Sequence, residues 1–287
     1  MNIKGRSSIK AYVIAVSLIL SCVIAVSLIL SYVSVADKFI ILSDSVKVTA
    51  TLNNPPDDEP FEAELTIERG NDRFRISTSI YGAKDQDEAI SVLKRVTGWK
   101  EGYLFVREDC GGGNAWRCDL DHVFAIRQGR LNHLGEVAAG MPWDSLVGKY
   151  KDGYFTDIYN KFEINDLTSH AHAPGMTLFL QEKGGHLQVN LEYTCLQNRE
   201  VFMEDAAKIA GNRGKEFADE NSRAVYLIPP ILSNAVYAKY CRRGTELSHI
   251  MRVAKSVLTK HELQKFLAIL AQVVPGEKPE PEPAEQM

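Results

Sequence analysis

Apolar positions along this chain follow three successive rhythms. Residues 11–36 run without one charged side chain. Residues 37–200 alternate apolar and polar in short runs broken by Gly, Asn, Asp and Pro, and residues 201–275 repeat their apolar positions every third or fourth residue. Alternation with period two places one set of side chains on one face of a strand, so strands are predicted at 46–52, 61–67, 73–81, 102–107, 121–126, 131–134, 154–164, 177–181 and 186–192. Gln128-Gly129 and Gly184-Gly185 read as tight turns between neighbours. One helix interrupts this pattern at 85–96, where Ile90, Leu93 and Val96 share a face and Asp85 stands as its cap.

The last third is helical. Pro229-Pro230 suits the opening of a helix through Ala235 and Tyr240, since proline is tolerated in a first turn. Leu247, Ile250, Met251, Ala254, Val257 and Leu258 form one stripe. Thr259-Lys-His-Glu262 has the form of a capping box, and Leu263, Phe266, Leu267, Leu270 and Val274 form a second stripe, so the two helices read as an antiparallel hairpin. The predicted fold class is therefore α+β. A mostly antiparallel β-sheet domain (37–200) is followed by a helical segment (201–275) ending in a C-terminal helical hairpin, and an N-terminal apolar leader helix (1–36) precedes both. Residues 276–287, rich in Pro and Glu, have little to bury and read as a disordered tail.

The leader carries the nonapeptide VIAVSLILS twice without change, at 13–21 and 23–31, behind Lys4, Arg6 and Lys10. At about 1.5 Å per residue its uncharged run is long enough to cross a hydrocarbon core of roughly 30 Å. Ser34-Val35-Ala36 nevertheless has the small-x-small form of a signal-peptidase site. These features together predict a signal peptide whose duplicated core reaches spanning length. The product is either a single-pass membrane protein with its C-terminal body outside the cytoplasm, or a soluble periplasmic or secreted protein after cleavage at Ala36.

Charge narrows the partners. The leader holds three basic residues and no acid, so the body carries a net −7 against −4 for the whole chain, which argues against nucleic acid. Outside the leader stand Cys110, Cys118, Cys195 and Cys241. Four cysteines allow three pairings. The first two flank a Gly-rich hairpin tip and are expected to pair across it, leaving Cys195 with Cys241; four buried thiols are the other reading.

Candidate chemistry is sparse. His170-Ala-His172, with His186 on a following strand, is the arrangement from which imidazoles share a divalent transition metal. Asp119 and Asp121, with Glu108 and Asp109 opposite, would crowd four acids at one hairpin end. Trp116 and Arg117 beside the Gly-rich tip have the composition of an interface contact. Neither G-x-S-x-G nor H-E-x-x-H occurs. The expectation is thus a cell-envelope protein acting as a non-catalytic binding or inhibitor-type module without a cofactor. Its partners would be the membrane, through an uncleaved leader, and an envelope protein or ligand. The alternative is a metal-assisted hydrolase built on the His-x-His pair.

Overall fold

The computed structural model of the chain describes residues 36–41, 45–53, 55, 59–108, 120–138, 150–159, 161–162, 165, 167–168, 172–217 and 219–278. Residues 1–35 of the leader and the hairpin tip with Cys110, Trp116, Arg117 and Cys118 lie outside the described residues, as do His170 and most of the tail. The fold is α+β with antiparallel sheets and C-terminal helices. It divides into two compact units, Met1–Lys94 and Arg95–Met287. That division does not follow the change of period near residue 200, because strands and helices beyond residue 95 share one core.

The first unit is a meander of β1 (Ala36–Ile41), β2 (Lys47–Leu52), β3 (Phe61–Arg69) and β4 (Asp72–Ile80), paired in chain order. Alternation does what it predicts. Val48, Ala50, Leu52, Ala63, Leu65, Ile67, Ile76 and Ile80 are buried, while Glu64 and Glu68 meet Arg75 and Arg73 on the wet face at 3.7 and 3.2 Å. Helix α1 (Gln86–Val96) follows, capped as expected by Asp85, whose Oδ1 accepts the Glu88 N–H at 2.8 Å.

The second unit begins with a sheet of β5 (Gly98–Lys100), β6 (Tyr103–Glu108), β7 (Leu120–Arg127) and β8 (Arg130–Ala138). A second sheet is ordered β12-β11-β10-β9, from β9 (Tyr150–Lys151), β10 (Tyr154–Tyr159), β11 (Met176–Lys183) and β12 (His186–Val189). The strand predicted over 186–192 stops at Val189. Asn190 accepts the Tyr193 N–H there and caps α2 (Leu191–Gln197). Beyond the reach of β12, the edge of β11 is completed by side chains. Thr194 Oγ1 accepts the Phe179 N–H at 3.0 Å, and the Asn198 amide both accepts from and donates to the Thr177 backbone. Backbone groups left by a short strand thus find partners on a helix.

Then come α3 (Arg199–Asn212), the single turn α4 (Glu220–Ser222), a π-helical stretch Arg223–Leu227, α5 (Ile228–Tyr240), α6 (Gly244–Val257) and α7 (Lys260–Ala271). The prolines do open α5, but the helix enters them from an upstream turn rather than from a loop. Pro230 has no N–H for the Tyr226 carbonyl, and Asn212 Nδ2 donates to that oxygen instead at 2.7 Å. The chain widens so that the Ile228 N–H reaches back to Arg223.

The expected hairpin is also rearranged. Both α6 and α7 pack on α5 more closely than on each other. The cause is α5 itself, in which Ile228, Pro229, Pro230, Ile231, Leu232, Ala235, Val236, Tyr237, Ala238 and Tyr240 are all buried, so it offers a surface to both helices. The capping box of α7 forms as predicted. Its Glu262 also receives Arg223 through two hydrogen bonds, at 2.8 and 2.6 Å, which hold its carboxyl below the usual range. Residues just past Pro275 are tied down although they are polar. The Lys161 ammonium meets the Glu277 carboxylate at 2.8 Å, and Tyr240 donates to the Glu277 carbonyl.

One acid strains against its surroundings. Burial pushes Asp205 in α3 up to about 6, with Glu204 adding to the shift and Lys208 at 3.7 Å opposing it. An unfolded aspartate titrates near about 3.9, so the fold favours the protonated form. That contribution is complete below about pH 4 and is lost as pH rises through about 6. Asp205→Asn should therefore leave the urea midpoint unchanged near pH 4 and raise it at pH 7. Equal midpoints at pH 7 would refute the assignment.

Candidate metal centre

Among the described residues, a group of ligand atoms close enough together to share a metal ion lies on β7 and β8, and period-two alternation does not announce it. His122 pairs directly with Glu136 across β7 and β8, and Phe124 pairs with His133. In a regular strand residues 133 and 136 point to opposite faces, because side chains alternate. Here the register steps from Val123↔Gly135 to Phe124↔His133, leaving Leu134 as the extra residue of a β-bulge. The step turns His133 onto the face of Glu136 and His122. Leu134 goes into the core instead.

Gly135 makes the bulge possible. Its φ of 133° is one that side-chain-bearing residues rarely adopt, whereas space is not the constraint: a Cβ there would meet Leu187 only at 3.8 Å.

The resulting geometry is compact. His122 Nδ1 lies 3.3 Å from His133 Nε2 and 3.5 Å from Glu136 Oε1, and His133 Nε2 lies 3.9 Å from that oxygen. On the other side of the His122 ring, Nε2 stands 2.6 Å from Glu108 Oε2. A carboxylate only accepts, so this nitrogen carries a proton and donates, and Nδ1 is the ring nitrogen that faces the group. The His122 side chain is 12% exposed and those of His133 and Glu136 about a third, so the group is sheltered yet open to solvent. The His133 imidazole is held below its ordinary pKa, chiefly by burial and then by the neighbouring His122; Glu136 and a backbone hydrogen bond with Gly135 pull the other way. Lys278 is engaged nearby, donating to the Glu136 carbonyl and standing 3.6 Å from Asp157.

The opposite face of the same strands is closed off. Asp121, fully buried, receives two hydrogen bonds from Arg107, at 2.9 and 3.2 Å, and these charges neutralise each other inside the sheet. Asp121 and Glu108 sit on opposite faces, while Asp109 and Asp119 lie outside the described residues.

Of the histidines singled out from the sequence, His170 lies outside the described residues. His172 is exposed in a helical turn before β11 and His186 is exposed at the start of β12. Cys195 and Cys241 form a disulfide with their Cα atoms 5.8 Å apart, joining α2 to the end of α5. The one sequence signal for the actual cluster was a glycine inside a strand, the usual mark of a bulge.

No protein-family model, curated protein or solved structure matches this chain.

The bulge makes a direct prediction. Gly135→Ala forces an unfavourable φ and should lower unfolding free energy by roughly 1 kcal/mol or more. It should also shift the His133 ring signals in a proton–nitrogen NMR spectrum. Unchanged stability and ring signals would mean that φ at this position does not set the register.

Proposed function

We propose that this is an exported cell-envelope protein whose body acts as a non-catalytic binding module, of an inhibitor type. Residues 1–36 would either hold it as a single-pass helix with the body outside the cytoplasm, or be removed after Ala36 to leave a soluble periplasmic or secreted product. The Cys195–Cys241 disulfide is the observation that carries this reading. Structural disulfides persist in oxidising compartments and are rare where thiols are kept reduced. Among the described residues no helix is long and apolar enough to cross a membrane.

The partner in this reading is an envelope protein or ligand, with Trp116 and Arg117 as the contact. An aromatic ring beside a guanidinium supplies large contact area and directed hydrogen bonds at little entropic cost. The body's net −7 disfavours nucleic acid.

Intact mass of the native protein, with thiols alkylated at lysis, tests the location. Cys195 and Cys241 should resist alkylation until reduced, and the chain should start at Met1 or Asp37. Free alkylation of both in native protein would overturn the export reading.

Photo-crosslinking in living cells tests the contact. A photoreactive residue at position 116 should give a discrete adduct, while the same residue at exposed Glu101 should give none. Identical patterns at both positions would discard Trp116 as a contact.

A further inference from the structure

We propose that His122 Nδ1, His133 Nε2 and Glu136 Oε1 form a three-ligand site for a divalent transition metal of the zinc type, with a fourth position open to water. The geometry supports this without rearrangement of the strands. Edges of 3.3, 3.5 and 3.9 Å lie on a circle of radius about 2.1 Å, and zinc binds histidine nitrogen and carboxylate oxygen at about 2.0–2.2 Å. An ion near the centre of that triangle therefore reaches all three atoms at bonding distance. Displacement of a few tenths of an ångström toward solvent leaves room for a fourth ligand.

The surroundings are those of a ligand set rather than of a chance cluster. Glu108 accepts the His122 Nε2 proton at 2.6 Å, which fixes the ring's orientation and turns Nδ1 inward. A carboxylate behind a ligating imidazole is the usual outer support of a metal-bound histidine. The Glu136 carboxylate has both imidazoles as its ion-pair neighbours, while Lys278 is engaged by the Glu136 carbonyl and by Asp157. Two imidazoles and one carboxylate suit zinc, cobalt, nickel or iron(II) and are poor for calcium or magnesium, which prefer oxygen alone.

Three protein ligands and an open position are also the composition of sites that activate a bound water or hold a ligand on the metal. The inference does not depend on the export reading. All four residues belong to the second unit, and the site would be the same in either compartment.

The test uses the purified full chain, stripped with chelator and titrated with zinc chloride by calorimetry at neutral pH. One zinc per chain is expected, with no uptake of magnesium or calcium under the same conditions. His133→Gln and Glu136→Gln should each lose at least about a hundredfold in affinity. Glu108→Gln should lose roughly 10–100-fold, as outer supports do. His172→Gln with His186→Gln should bind as the unsubstituted protein does.

Cobalt(II) added to the unsubstituted protein supplies a readout free of any folding defect, because a low-symmetry, four-coordinate nitrogen and oxygen site gives intense visible d–d bands. Absence of those bands, absence of zinc uptake, or uptake that survives His133→Gln but disappears with the His172 and His186 substitutions would overturn the proposal.

Discussion

Helix α5 has no face left for water, and residues 95–278 are arranged to meet that demand. Its aliphatic and aromatic side chains join one core with Phe105, Val123 and Val137 of the first sheet of the second unit and with Phe155, Leu178 and Leu180 of the second. Each large side chain buried there contributes roughly 1.5–3 kcal/mol, so the helix alone accounts for much of the force that brings sheets and helices together. Its few polar atoms are answered one by one. The Tyr237 hydroxyl donates to the Cys195 carbonyl, the Tyr240 hydroxyl to Glu277, the Lys239 ammonium to Leu270 at the end of α7, and the Asn234 amide to Phe202 in α3. A buried helix that left these atoms unpaired would lose about 1–3 kcal/mol at each.

The same demand explains where polar connections appear. Arg223 reaches Glu262 and the Val257 carbonyl, fixing the turn that leads into α5 against the junction of α6 and α7. Arg127 and Tyr103 both reach Glu182, joining strand ends of the two sheets of the second unit. That carboxylate is held low by Arg127, and the Tyr103 hydroxyl is pushed up to about 12 by burial and by the same carboxylate. These contacts sit at the rim of the core, where apolar packing ends.

Much of the strand and helix content was legible, because burial acts one residue at a time. Val48, Ala50 and Leu52, or Ile90, Leu93 and Val96, show their period directly, and Asp85 and Thr259 cap as their side chains dictate. What escaped has a common physical character: it depends on partners distant in sequence. The π-helical turn depends on what Pro229 and Pro230 lack and on Asn212 supplying a donor. The hold on Glu277 depends on Lys161, more than a hundred residues earlier. The metal-type cluster depends on a single extra residue between His133 and Glu136. A period-two reading separates these two residues by construction, whereas it places His170 and His172, two apart, on one side of a strand.

The disulfide between Cys195 and Cys241 has a topological side. Its 46-residue separation encloses α3, the π-helical turn and all of α5, the most buried helix of the unit, in one covalent ring. A single break anywhere inside that ring opens a circle without dividing the molecule. The segment after Asn212 can therefore be cut and both sides remain one molecule, closed around the same core.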